Sequence, residues 1–295
     1  MKPAPQFPNA LFALVLTVCV IALQMALSVP FEVVAAVYAL ATKQPLSHPV
    51  QHPLVLGLIN LVAFGGVVAL GIYLAKTPPR EIFAFRRVRC ALWLPILLST
   101  IGAAVLLSEA DNMFRWLFPV PKFVAELFRT LFSADTSWWG SVFTLAVVAP
   151  LTEEVLFRGL ILRGLLSRHD VRLAVLVAAA LFAFAHLNPW QLISASSLGV
   201  MFGWWYHRTR SLVPGLIGHA LANGLVLACG YLPVEIAGFN NGEPYAAAEF
   251  QPLWFDAAGL AVLAVGIWLF HRWSPKPERS SCPAFDGPNP PVIPP

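Results

Sequence analysis

Three short runs hold polar groups whose types and spacing could do hydrolytic chemistry: Glu153-Glu154-Val155-Leu156-Phe157-Arg158, Phe182-Ala183-Phe184-Ala185-His186 and His219-Ala220-Leu221-Ala222-Asn223. Helical neighbours are turned about 100° apart, so Glu153 and Glu154 cannot face one target. Glu154 and Arg158, at i,i+4, stack and can neutralise each other as a supporting ion pair. Glu153 is then the carboxylate without a local partner, suited to act as a general base on water; its bland alternative is a hydrogen bond within the bundle. His219 and Asn223 share a helix face and can donate to an oxygen gaining negative charge. Taken alone, that pair could equally be a polar clamp between helices.

An ionisable side chain in hydrocarbon costs about 2.5–3.5 kcal/mol on insertion scales, so such groups are rare and are usually functional or paired. The surroundings of these runs are that apolar. Of the 295 residues 58% are hydrophobic and 12% charged, and the mean hydropathy is +0.71, whereas a soluble domain carries roughly 25% charged residues. An ordinary water-soluble enzyme is excluded. The net charge of +4 does not imply nucleic acid, because the bases punctuate apolar runs instead of forming a stripe. Cys19, Cys90, Cys229 and Cys282 lie far apart without a CxxC pair, so no disulfide framework or cysteine zinc site is expected.

About 20 apolar residues in a helix cross about 30 Å of hydrocarbon. The charge-poor runs therefore predict an all-α, polytopic membrane helical bundle of about eight transmembrane helices: residues 10–29, 53–75, 90–108, 136–167, two between 172 and 208 divided at Asn188-Pro189, 212–232 and 253–270. The first is read as an anchor and not a cleaved signal peptide, since only Lys2 precedes it as a base. With both termini cytoplasmic, fifteen of the 19 Lys and Arg fall on the inner side. In a bacterium that side would be the inner face of the plasma membrane. Phe123, Val124, Leu127, Phe128, Leu131 and Phe132 recur at helical spacing and predict an interfacial amphipathic helix. The expected parts are the N-terminal spans with that helix (1–135), a core of four spans (136–232), a loop with the last span (233–273) and a disordered proline-rich tail (274–295).

The fourth and fifth spans form a hairpin turning near residues 167–172. Glu153 stands 15 residues before Arg168 and His186 stands 14 after Arg172, so α-helical rise puts both about 21–22 Å from the turn. Glu153 and His186 are thus expected to meet. His219, 9 residues past Arg210, comes out shallower, at about 13 Å. In the sixth span Ala195, Gly199 and Gly203 form a small-xxx-small face for close helix packing.

The ordered triple of Glu-Glu-x-x-x-Arg followed by Gly159, then Phe-x-x-x-His, then His-x-x-x-Asn, on three separate spans, resembles the CPBP family. Those are the CAAX protease and bacteriocin-processing intramembrane proteases, among them the type II CAAX prenyl endopeptidases. The resemblance covers about residues 141–232. It implies an eight-helix bundle with a cavity inside the membrane, and endopeptidase cleavage of a peptide or protein near the membrane surface. Carried over by residue, Glu153 would activate water, His186 would assist it, His219 and Asn223 would hold the oxyanion, and Glu154 with Arg158 would brace the helix.

Members of that family are labelled both metalloproteases and metal-free glutamate proteases. Glu153, His186 and His219 could ligate zinc with water in the fourth position, yet no HExxH is present and no aspartate or third histidine on these spans supplies another ligand or outer partner, so the metal-free mechanism is favoured. The expected partners are membrane lipid and a peptide or protein substrate, prenylated or a leader peptide. A non-catalytic membrane scaffold or bacteriocin-immunity-type protein of the same family is the alternative function. A proton-coupled transporter fits less well, since no internal repeat links the halves.

Overall fold

The computed structural model describes residues 6–44, 46–122, 124–125, 138–229, 232–240 and 248–275, and is an all-α membrane helical bundle with no strand among them. In chain order the helices are α1 (Ala10–Thr42), α2 (Pro53–Ala75), the single turn α3 (Pro79–Ile82), α4 (Trp93–Leu117), α5 (residues 138–166), α6 (Val171–Ala185), α7 (Leu192–Thr209), α8 (Val213–Cys229) and α9 (Leu253–Trp273). Apart from α3, they correspond to the eight expected spans. Those long and apolar enough to cross a membrane unaided are Ala10–Thr42, Pro53–Ala75, Cys90–Leu117 and Leu253–Trp273, while α6 and α8 are shorter apolar helices.

Local chemistry sets the ends. Asn9 caps α1 by accepting from the Phe12 amide, and Asp170 caps α6 by accepting from Arg172 and Leu173. Lys43, Lys76 and Arg210 close α1, α2 and α7 in the left-handed conformation, at φ 55°, 49° and 52°. Two helices outrun expectation. The first runs on through Pro30 to Thr42 because a proline removes only one bond of the ladder, and Glu32 is met by His48 at 3.0 Å. The fourth continues past residue 108 to Leu117 because Asp111 is paired with Arg115 one turn on, at 2.9 Å. The interfacial helix expected over 123–132 lies outside the described residues except for Val124 and Ala125, and the tail from 276 lies outside them altogether.

Connections gather at two ends. At one, the Gln6 amide donates to Ser167 Oγ (2.8 Å), the Leu212 amide to Ala84 O (2.9 Å), and Arg208 Nε to Pro275 O (2.9 Å). At the other, Trp190 Nε1 donates to Phe118 O (2.8 Å) and Asn112 Nδ2 to Gly238 O (2.7 Å). Successive helices therefore alternate in direction.

The centre of the bundle is α5, whose stretch Val155–Leu162 is wholly buried. The face of α7 bearing Gly199 and Gly203 lies against Ala179 and Val175 of α6, as the small-residue spacing implied. A second close crossing, unread in the sequence, joins α4 to α9. A methyl group at Gly102 would strike the Leu263 backbone nitrogen, and one at Gly259 would come within 2.6 Å of Val105 Cγ1. Backbones that close leave no room for a side chain. Gly102→Val is expected to lower stability by about 1–3 kcal/mol or more, read as an earlier unfolding midpoint in detergent, while a change at Gly65, where a methyl group would meet open space, leaves that midpoint in place.

Candidate active site

Helix α5 is not a plain α-helix. It alternates α and π segments, with π turns at Thr144–Val148 and Val155–Leu162 on either side of Ala149–Glu154. π-bulges leave backbone groups out of the usual ladder and recur at functional sites. In the first, the Ala149 amide bonds to Thr144 O, five residues back. The carbonyl that would follow in that register is Leu145, whose partner five residues on is Pro150, which has no N–H. Asn223 of α8 supplies the missing donor, its Nδ2 lying 2.7 Å from Leu145 O. Asn223 thus clamps α8 to α5 with one N–H and keeps a second, since a primary amide has two.

Glu154 lies on the buried face of α5, with its side chain 1% exposed and Arg158 2% exposed. Arg158 Nη1 donates to Glu154 Oε1 at 2.8 Å, the expected i,i+4 pair. Its Nη2 reaches Gly199 O at 3.3 Å, and its guanidinium lies over the rings of Phe182 (4.5 Å) and Phe202 (5.5 Å). A buried guanidinium is tolerable only when its donors and its charge are met in this way.

The same oxygen has a second partner. His219 Nδ1 lies 3.2 Å from Glu154 Oε1, so an N–H on that nitrogen points at the carboxylate and the opposite nitrogen, Nε2, faces away from it. It faces Glu153, whose Oε2 is 3.8 Å distant. Phe202 stacks on the imidazole and Phe182 meets it edge-on, each with ring centroids 5.7 Å away. Gly215, one turn before His219, permits this approach: a methyl group there would fall 2.5 Å from Glu154 Oε2. Glu153 Oε2 has no hydrogen-bond partner among the described residues. Its side chain keeps 13% exposure against 1% for Glu154, so the two neighbouring carboxylates differ in access, although Oε2 of Glu153 is itself buried.

His186 reaches this group through Phe182. It ends α6, its Nδ1 lies 2.9 Å from Phe182 O, and its ring meets that of Phe182 edge-on with centroids 4.9 Å apart. The structure brings His219 Nε2 to 3.8 Å from Glu153 Oε2, an approach that the depth count had not placed. Rings closed over five residues climb less per residue than rings closed over four, so the π stretch Val155–Leu162 narrows the difference in depth between Glu153 and His219. Sequence reasoning also missed Phe182 and Phe202 as walls of the site, and Gly215 as the residue that lets α8 in. Their position one helical turn from His186 or His219, for Phe182 and Gly215, was the available signal.

The zinc set considered from sequence, Glu153, His186 and His219, is not assembled. Among the described residues no three His, Cys, Asp or Glu side chains form a group able to hold a metal ion. The chemistry open to this arrangement is that of a carboxylate facing an imidazole whose other nitrogen is anchored. With both His219 nitrogens protonated, Glu153, Glu154, Arg158 and His219 sum to zero charge.

Residues 135–225 match the family described as Type II CAAX prenyl endopeptidase Rce1-like. A Bacillus subtilis (strain 168) protein named "Putative membrane peptidase YdiL" is 20% identical over 201 residues, 67% of this chain and 81% of that one. No solved structure matches. These findings support the CPBP/CAAX protease assignment made from the motifs, and with it an integral membrane protein and, at the level of the family, a protease.

Arg158→Met should cost about 3–5 kcal/mol by stranding the Glu154 charge, and the double change Glu154→Gln with Arg158→Met should recover most of the loss. Denaturation midpoints of the native chain and the two variants check this; no recovery in the double variant would mean that the ion pair is not what holds α5.

Proposed function

We propose that the chain is an intramembrane endopeptidase that hydrolyses a peptide bond of a membrane-associated peptide or protein with a water activated by Glu153. The observation that carries this reading is the 3.8 Å between Glu153 Oε2 and His219 Nε2, with the imidazole held from behind by Glu154. That spacing is too long for a direct hydrogen bond and suits two groups that share a water at about 2.8 Å from each.

Glu153 takes a proton from the water as its oxygen adds to the scissile carbonyl carbon. The oxygen of that carbonyl becomes an oxyanion and accepts from the Nε2–H of protonated His219 and from the second N–H of Asn223. Glu153 then delivers its proton to the departing amine, the C–N bond breaks, and a carboxylic acid and an amine leave. Glu154 stabilises the imidazolium and fixes its orientation, as a buried carboxylate does for a catalytic histidine. His186, across Phe182, offers Nε2 to the incoming substrate or its water. No step requires a metal.

The gathering of both described chain ends with arginines of three connections at one end of the bundle supports a multi-pass topology of eight crossings with cytoplasmic termini. The family description supports a prenylated peptide as one substrate class, and a leader peptide is the other.

Glu153→Gln should reduce cleavage of membrane peptides by about 10²–10⁴-fold without moving the unfolding midpoint, as read by mass spectrometry of peptides from membranes carrying either form. Undiminished cleavage, or an unchanged cellular phenotype with no cleavage in either form, would favour a non-catalytic scaffold or immunity-type protein. Chelator-washed enzyme should keep its rate; one tightly held metal per active chain would overturn the metal-free reaction.

A further inference from the structure

The bundle end that holds the chain termini contains a cleft of about 280 Å³ lined by Arg86, Arg163, Arg210, Tyr206 and Glu81, among others. None of Glu153, His186, His219 or Asn223 lines it. We propose that this cleft binds a phosphate group, independently of the peptidase reading.

The cleft is built from segments remote in sequence and held in register. The Leu212 amide donates to Ala84 O (2.9 Å) and Ser211 Oγ to Arg86 O (2.7 Å), which fixes the stretch carrying Arg86 against the α7–α8 turn. Arg210 occupies the left-handed cap of α7, its amide 2.7 Å from Tyr206 O. Arg163 projects from the last turn of α5 and pairs through Nη2 with Glu81. Its other terminal nitrogen, Nη1, is buried and has no hydrogen-bond partner among the described residues. A buried guanidinium donor left unmet keeps its full desolvation penalty, so a site that supplies its acceptor is favoured.

The charge does not close within the protein. Three guanidiniums face one carboxylate, and neither Arg86 nor Arg210 makes a side-chain hydrogen bond or ion pair among the described residues. Arg86 and Arg210 are exposed, and with Arg163 they line one cavity beside the buried phenol side chain of Tyr206. Planar guanidiniums match the oxygens of a phosphate, which accept several charge-assisted bonds at once. Basic pockets between transmembrane helices at the inner membrane surface suit phosphate head groups in this way. The phosphate belongs either to an anionic phospholipid or to a soluble ion or ester, and the test separates the two.

Thermal unfolding of the purified full chain is measured in detergent with added inorganic phosphate, and in nanodiscs of phosphatidylcholine with or without phosphatidylglycerol. The midpoint should rise in at least one arm. A rise with phosphatidylglycerol alone assigns a lipid head group, and a rise with inorganic phosphate assigns a soluble source. Arg86→Gln with Arg210→Gln should weaken the apparent affinity roughly tenfold, and Arg172→Gln, on the exposed start of α6, should leave it unchanged. Glu81→Gln frees Arg163 Nη2 and should tighten binding about threefold; this variant decides the matter if the double one does not fold. No response of the native chain to either probe, an equal response in the double variant, or weaker binding in Glu81→Gln would overturn the proposal.

Discussion

One carboxylate oxygen, Glu154 Oε1, takes both a guanidinium at 2.8 Å and an imidazole at 3.2 Å. The guanidinium could not be buried at this depth without it, and it could not be buried without its partners, because an unpaired charge in a low-dielectric interior costs several kcal/mol. The three side chains come from α5 and α8, and Arg158 is also tied to α7 through Gly199 O. A single knot of buried polar groups therefore sets the spacing of the helices that carry the candidate chemistry. The aromatic rings of Phe182 and Phe202 pack around it and strengthen its electrostatics by excluding water.

The departure of α5 from α-helical geometry follows the same logic. A regular helix satisfies its own backbone and offers little to a neighbour. The π turn ahead of Pro150 leaves the Leu145 carbonyl open, and Asn223 closes it. The bond that secures α8 at one end of the site and the bond that secures it at the other, His219 to Glu154, both depend on irregularities or charges of α5. Glycine completes the fit: at Gly215 a side chain would occupy the space of the Glu154 carboxylate. The helices α4 and α9 instead cross closely at glycines, Gly102 and Gly259 among them.

Much of this was legible in the chain. The eight helical runs, the break at Asn188-Pro189, the Glu154–Arg158 pair and the close face of α7 all follow from local rules, namely apolar length, proline geometry and i,i+4 neighbourhood. The ordered motifs on three spans also led to the family that residues 135–225 match. Counting residues at a constant rise put Glu153 beside His186 and left His219 shallower, so the approach of His219 Nε2 to Glu153 Oε2 at 3.8 Å was not in that count.

What the sequence alone determined is the identity of the expensive groups: carboxylates, imidazoles and an amide in apolar helices have to be paired or used, wherever they end up. Which pairs form was decided only in three dimensions. The phase of a helix is a local property, but the depth at which two helices meet sums every irregularity along both, and π turns with their orphaned carbonyls are resolved by neighbours far away in the chain. That is why Glu154 and Arg158 could be matched from their spacing, whereas His219 meeting both glutamates, and Asn223 meeting Leu145, could not.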